Sequence, residues 1–547
     1  MGGPDGPSDW NDALPCARFR RQIADLEPLA LAYEAGVKPL WDKPGLGHQL
    51  ACAVPLLLLI SLVYTFLGSS GTWREVPGRT DYYDRMAEGF RSGHLYILEA
   101  PAPQLLAQKD PYLDRFVQLG VWDASLYEGH YYLYWGPVPA LLLLAFKVIT
   151  RHAETVTDQW LVLLFILGRL IAGTLVLLEL SRLRRPPPPA WLLGLAIAVF
   201  GLAGPTPFTV TSPNVWEACL LSGQCFLLGG LWLALRGLLS AERRLPLFLL
   251  AGALWALAVG SRVTLILVVP SFVLLTVLLL GGRAWREARS WPRVLSETLR
   301  PGLALGLPVL AAIGGYASYN YARFGSVTDF GVDYQISYQW FWTHEAFLLP
   351  NVFSYLWGPL RWSCRFPFVF SVMHRPLSPL IHWPPGYQTW ERVAGVLVMA
   401  PWCYLLLLWL WRSASFAWRG TRPVGLPRAP GSSWPELWAI ACSLAMLPAM
   451  VPALSLWEAS MRYSGDALSG ALIASSLAAF SLHARARASL SASRRTLAPL
   501  LLAALGAYTC LVGAFSGVVS YDDVFLFNNP ALIHRLQAKL SFCAGAP

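Results

Sequence analysis

The chain has 547 residues, 55% of them hydrophobic and only 14% charged. Soluble domains carry about 25% charged residues, so this composition excludes an ordinary water-soluble protein, and a mean hydropathy of +0.46 points to the bilayer. The net charge of +10 does not indicate nucleic acid, because the Arg residues sit in short segments between apolar stretches, where the positive-inside rule places them.

Residues 1–48 are polar, contain FRRQ (19–22), and lead into an apolar stretch at 49–68 with no cleavage-like site after it. That stretch reads as a retained anchor, not a signal peptide. A long polar loop, 70–133, follows and holds nine carboxylates. Within it TDYYDRMAEGF (80–90) puts Tyr83, Met86 and Phe90 on one helical face and Asp84, Glu88 and Arg91 on another, the pattern of a short helix lying at the membrane interface. The segment 134–150 opens with WGPVPA and is apolar; it is expected to be interfacial or re-entrant. Further apolar runs lie near 159–180, 189–205, 216–236, 246–260, 263–281, 302–321, 393–411, 436–454, 467–482 and 497–519, each close to the length that spans a hydrocarbon core.

Lys and Arg concentrate in 1–48, 182–189, 236–245, 282–301, 412–435 and 483–496. The bias sets a cytoplasmic N-terminus and an extracytoplasmic C-terminus. The organisation expected is a cytoplasmic segment 1–48, a first helix 49–69 and a first extracytoplasmic loop 70–133 that carries chemistry. A bundle 134–321, a second large loop 322–392, C-terminal helices 393–519 and an outer tail 520–547 follow. The fold class is an all-α polytopic membrane protein of about 11–12 transmembrane helices with two large extracytoplasmic loops.

Several residues could carry chemistry. Asp81 lies about a dozen residues past the first span, where a carboxylate could take a proton from an attacking hydroxyl. Thr80-Asp81-x-x-Asp84 reads equally as a helix-capping arrangement. Arg262, in AVGSRVT (258–264), falls at a turn between two apolar stretches. It could hold a phosphate or snorkel to anchor a helix end. Glu217 in TSPNVWEAC (211–219) suits a helix first turn better than a substrate contact. Arg462, Tyr463 and Asp466 occur in WEASMRYSGDALSG (457–470); they are functional candidates by location, or Arg462 and Asp466 pair with each other at i,i+4. Tyr321, Arg323, Asp329 and Asp333 in 320–335 could line a polar site or belong to an interfacial belt.

Of nine Cys, most lie in apolar spans; Cys364 and Cys543 fall in segments placed outside, where a disulfide between them can form. No His pair at i,i+4 supports a zinc site. Neither GxxxxGK[ST] nor GxGxxG occurs, which disfavours a nucleotide-driven pump and a dinucleotide enzyme.

TDYYDRMAEGFRSGHLYI (80–97), WDASLYEGHYYLYWGPVPALLLL (122–144), NYARFGSVTDFG (320–331) and MRYSGDALSG (461–470) together resemble bacterial members of the GT-C glycosyltransferase superfamily, the integral-membrane enzymes that use polyprenyl-phosphate sugars. The resemblance extends to the layout of one span, a large first loop and a bundle. It implies a polyprenyl-phosphate-linked sugar donor, a glycan, lipid or protein acceptor, and a place in the bacterial inner membrane. It implies an acidic residue of the first outer loop as base, a position held here by Asp81 with Asp84 as the second choice. The superfamily often shows an acidic pair, whereas here Tyr82 and Tyr83 follow Asp81. Relatives differ over a divalent cation, which leaves metal need open. In the implied reaction the acceptor oxygen attacks the anomeric carbon, polyprenyl phosphate leaves, and the configuration inverts. Two other readings share the layout. One is a lipid-linked sugar transporter, which Arg169 and Glu179 within one apolar stretch favour; the other is a polysaccharide polymerase or ligase working through 322–392.

Overall fold

The computed structural model describes residues 46–240, 242–337, 343–373, 383–419, 434–519 and 523–543. Most of 1–48, including FRRQ, and Arg375 in the second loop lie outside that set.

The chain opens with α1 (Leu46–Gly68), followed by the short helix α2 (Tyr82–Arg91) and a hairpin of β1 (Ser125–Tyr127) and β2 (His130–Tyr132). Then come α3 (Val138–Thr150), α4 (Asp158–Leu183), α5 (Ala190–Leu202), α6 (Thr206–Thr211), α7 (Val215–Leu239), α8 (Arg244–Ser261), α9 (Val269–Ala288) and α10 (Trp291–Phe324). The second half holds α11 (Leu348–Trp357), a hairpin of β3 (Leu360–Trp362) and β4 (Val369–Ser371), α12 (Tyr404–Arg419), α13 (Trp434–Leu444), α14 (Gly465–Arg487), α15 (Ala492–Val519) and α16 (Pro530–Leu540). Eight helical segments are long and apolar enough to cross a bilayer, and three shorter apolar helices accompany them, among the described residues. The protein is an all-α, multi-pass membrane protein.

The bundle centres on α4 and α7. Both are apolar all round, and most of each is buried, as a helix without a polar face must be. α7 packs on α4 and α8, α8 on α10, and α14 on α13 and α15. Close approach needs small residues, since lipid offers apolar groups no drive to leave it. A Cβ at Gly252 of α8 would stand 2.5 Å from the Leu305 carbonyl of α10, so only glycine lets those two backbones meet there.

Some boundaries differ from the sequence expectation. The segment 282–301, read as a loop, is helical except for a turn between Ala288 and Trp291. The basic stretch 483–496 is mostly the end of α14 and the start of α15. Charged residues extend helices past the apolar run, because a hydropathy profile measures the bilayer and not the helix. Conversely, 393–411 is broken at Pro401 into a short helical turn (Val396–Met399), a 3-10 turn and α12, since proline cannot donate to the helix ladder.

α3 has 13 residues, roughly 20 Å of helix against a hydrocarbon core of about 30 Å. Leu141, Leu142, Phe146, Val148 and Ile149 are exposed, while Val138, Ala140, Leu143 and Lys147 are buried. Its buried face lies on α2, where Lys147 Nζ reaches Asp84 at 2.8 Å and Glu88 at 2.7 Å. A basic residue in an apolar helix thus finds its partners on the polar face of α2.

The described parts of the large loops are stitched to one another. Asp123 N–H donates to the Ile336 carbonyl at 2.7 Å and Ile336 N–H to the Ala124 carbonyl at 2.9 Å, joining the first loop to the second. Gln388 N–H donates to the Trp457 carbonyl at 2.9 Å. Cys364 and Cys543 form a disulfide with Cα atoms 5.5 Å apart, clipping the segment after α16 to the second loop.

Candidate active site

The first loop enters the site through the start of α2. Asp81 occupies the N-cap position, yet its side chain makes no capping bond. Capping comes from 76 residues away instead: Asp158, first residue of α4, accepts from Tyr82 N–H at 3.1 Å, Tyr83 N–H at 3.2 Å and the Thr80 hydroxyl at 2.6 Å. A buried carboxylate at a helix N-terminus suits both the free N–H groups and the helix dipole. Relieved of capping, Asp81 pairs with Arg85 Nε at 2.7 Å, and Arg85 reaches on to Glu99 at 2.7 Å. The Asp81 side chain stays 28% exposed. The Asp81-x-x-Asp84 capping arrangement, the alternative reading of this sequence, is therefore not what forms.

Asp84 is placed differently. Its side chain is 7% exposed, bound to Lys147 and accepting from Val156 N–H at 3.1 Å. Every group around it is structural, so the geometry ties α2 to α3 and to the approach of α4 rather than presenting a base.

Tyr82 links Asp81 to a second carboxylate that the sequence reading did not single out. Its ring stacks on Trp135 at 5.8 Å, and its hydroxyl donates to the Trp122 carbonyl. The next residue, Asp123, has a left-handed backbone at φ +63, a conformation Asp tolerates better than most residues. That turn aims its carboxylate inward, where it accepts from Trp216 Nε1 at 2.7 Å and the Tyr134 hydroxyl at 3.2 Å. Burial raises its pKa from 3.8 to about 7, against the opposing pull of Trp216, the Arg462 charge and Tyr134. The WDASLYEG motif (122–129) was the available signal. Gly136, between Trp135 and α3, holds this wall against α8: a Cβ there would stand 2.2 Å from the Gly260 carbonyl.

The late loop supplies the facing wall. Arg462 lies 4.9 Å over the Trp216 ring and 5.3 Å over Tyr463, and bonds Glu391 at 2.9 Å. Arg262 also lies against the Tyr463 ring, at 5.7 Å. Its Nε and Nη2 both grip Asp466, each at 2.7 Å. So Arg462 and Asp466 do not pair with each other; the first turn of α14 points Asp466 toward α8 and leaves Arg462 to the loop. The Arg262 fork is closed on a carboxylate rather than open to the mouth. Glu458, buried nearby, accepts from the backbone N–H groups of Trp390 at 2.6 Å and Glu391 at 2.7 Å. Burial and the neighbouring Glu391 charge lift its pKa to about 7.

Other expected residues fall elsewhere. Glu217 forms a capping box with Asn214 at the start of α7, the structural reading. Arg323 is buried, donating to the Leu133 carbonyl at 2.6 Å and Asn320 at 2.7 Å under the Tyr319 ring at 3.8 Å. It fastens the end of α10 to the first loop. Tyr321 is exposed, and Asp329 closes a local turn on Gly331 N–H and the Tyr334 hydroxyl. Tyr321, Arg323, Asp329 and Asp333 thus do not converge, because Gly325 at φ +68 ends α10 and turns the chain away. No group of three His, Cys, Asp or Glu side chains stands close enough to hold a metal ion among the described residues.

The arrangement is a mixed-charge, aromatic-walled site built on loops of a membrane bundle, with Asp81 partly exposed and two buried carboxylates, Asp123 and Glu458, whose pKa burial raises. No family model and no curated protein matches the chain. Among solved structures it is similar to the archaeal oligosaccharyltransferase AglB from Archaeoglobus fulgidus in complex with an inhibitory peptide and dolichol-phosphate. The identity is 14% and the TM-score 0.44, over 85% of this chain and 56% of that one. The Archaeoglobus fulgidus oligosaccharyltransferase in the apo form gives 13% and 0.44, over 86% and 56%. ArnT from Cupriavidus metallidurans bound to undecaprenyl phosphate gives 13% and 0.36, over 89% and 78%. The chain spans little more than half the length of the oligosaccharyltransferase.

Proposed function

We propose that the chain is a membrane glycosyltransferase of GT-C type. It moves a sugar from a polyprenyl-phosphate carrier to an acceptor hydroxyl at the extracytoplasmic face, with Asp81 as general base. The observation that carries this reading is Asp81 itself: with Asp158 doing the capping, it stays partly exposed in a pair with Arg85, next to Tyr82, whose ring stacks on Trp135. Asp81 takes the acceptor proton as the acceptor oxygen bonds the anomeric carbon, and the bond to polyprenyl phosphate breaks with inversion. The Cys364–Cys543 disulfide supports an extracytoplasmic loop end, since disulfides persist in oxidising compartments.

The donor class follows the sequence resemblance, and AglB and ArnT were each solved with a lipid of that class. Of the two ionisable residues that keep the transporter reading open, Glu179 pairs with Arg236 at 3.4 Å. The test uses purified protein in nanodiscs with a panel of undecaprenyl-phosphate sugars, reading released undecaprenyl phosphate by mass spectrometry. A positioned base is worth about 10²–10⁴-fold, so Asp81→Asn should lose that factor at unchanged folded yield. Transfer by the Asn variant at the parental rate removes Asp81 from the mechanism; no release with any donor removes the proposed function.

A further inference from the structure

Arg169 lies in the middle of α4, roughly 16 Å from its start, and is 3% exposed. Its Nε donates to Ser469 at 3.0 Å, and its guanidinium sits 4.5 Å over the Phe200 ring. Nη1 is buried with no partner. No carboxylate pairs with it among the described residues, whereas Arg184, Arg236 and Arg262 each have one. Burying a charge without a counter-charge is far costlier than burying an unpaired dipole.

A cavity of about 10 Å³ adjoins Arg169, walled also by Thr206, Thr209, Gln224 and apolar residues such as Leu220 and Leu468, room for one small occupant. The Thr209 hydroxyl is spent on the Thr206 carbonyl at 2.7 Å, while the Thr206 hydroxyl makes no bond among the described residues and keeps its proton to donate. Gln224 gives Nε2 to the Asp466 carbonyl at 3.1 Å, which leaves its Oε1 buried and unpaired. The unspent polar atoms on residues around the cavity are therefore Arg169 Nη1, on a guanidinium with a full positive charge, the Thr206 hydroxyl and Gln224 Oε1.

We propose that this chamber binds a small monovalent anion of the halide class, held by Arg169 Nη1 and the Thr206 hydroxyl. A water would satisfy the dipoles and leave the charge uncompensated; an anion neutralises it. The site is independent of the catalytic reading, so its test needs no activity assay. Full-length protein in detergent is melted in sodium gluconate with rising sodium bromide or chloride at constant ionic strength. The parent should show a saturable rise of about 2 °C or more. Arg169→Met should show none, and in gluconate it should melt at or above the parent, having lost an uncompensated charge. In bromide-soaked crystals of the parent, an anomalous peak should lie within hydrogen-bond distance of Arg169, a result that does not require any variant to fold. Equal melting of the parent in gluconate and halide overturns the proposal. So does a halide response retained by Arg169→Met, or density without anomalous signal, which would identify water.

Discussion

Removing the Lys147 amine is expected to destabilise the protein severely without touching the proposed base. Nζ lies 2.8 Å from Asp84 and 2.7 Å from Glu88, with the Lys147 side chain 2% and the Asp84 side chain 7% exposed. In Lys147→Met the methionine fills most of the volume, but Asp84 keeps only the Val156 N–H at 3.1 Å. Breaking one side of a buried pair costs about 3–5 kcal/mol, and Glu88, a third exposed, can turn to water and hold the loss toward the lower figure. For a chain of 547 residues that is a drop of about 3 °C in melting temperature. The companion variant Lys147→Met/Asp84→Asn leaves a neutral amide that still accepts from Val156, so the double change should melt above Lys147→Met alone. Both are read by intrinsic tryptophan fluorescence in detergent. If Lys147→Met melts with the parent, or the double variant loses the sum of the two single changes, the α2–α3 ion pair does not hold this loop. Folded Asp84→Asn should keep transfer, which separates it from Asp81→Asn.

Asp123 gives a pH prediction. Its pKa rises from 3.8 to about 7 on folding, so the folded chain keeps a proton that the unfolded chain has released. Stability is undiminished below 3.8, falls as pH climbs from there to about 7, and stays reduced above. Asp123→Asn, neutral throughout, should flatten this decline and melt above the parent at about pH 8; identical slopes would show that Asp123 titrates normally. Glu458 acts with the same sign. The disulfide joins positions 179 apart in sequence, and losing a native disulfide typically costs about 2–5 kcal/mol. Dithiothreitol should lower the melting temperature of the parent and open the segment after α16 to limited proteolysis, while leaving Cys364→Ser/Cys543→Ser unaffected. Equal protease resistance before and after reduction would mean the noncovalent contacts of that segment suffice, among them Phe542 N–H to the Cys364 carbonyl at 3.1 Å.

Local information was enough for much of this molecule. The apolar runs located the long helices because a bilayer core demands an unbroken stretch of hydrophobic residues. The TDYYDRMAEGF pattern located α2, whose apolar face of Tyr83 and Met86 is buried. Two cysteines in segments read as outside found each other. What the sequence left open lies between elements far apart along the chain. Asp158 rather than Asp81 caps α2, Arg262 rather than Arg462 takes Asp466, and the turn at Asp123 carries its carboxylate to Trp216 on α7. Hydropathy and spacing are properties of a single helix. Which charges meet depends on how far each helix is rotated and shifted against its neighbours, and in a membrane bundle that is set by close packing at positions such as Gly252 and Gly136. Tertiary structure therefore decided which carboxylates are buried as structural partners and left Asp81 partly exposed.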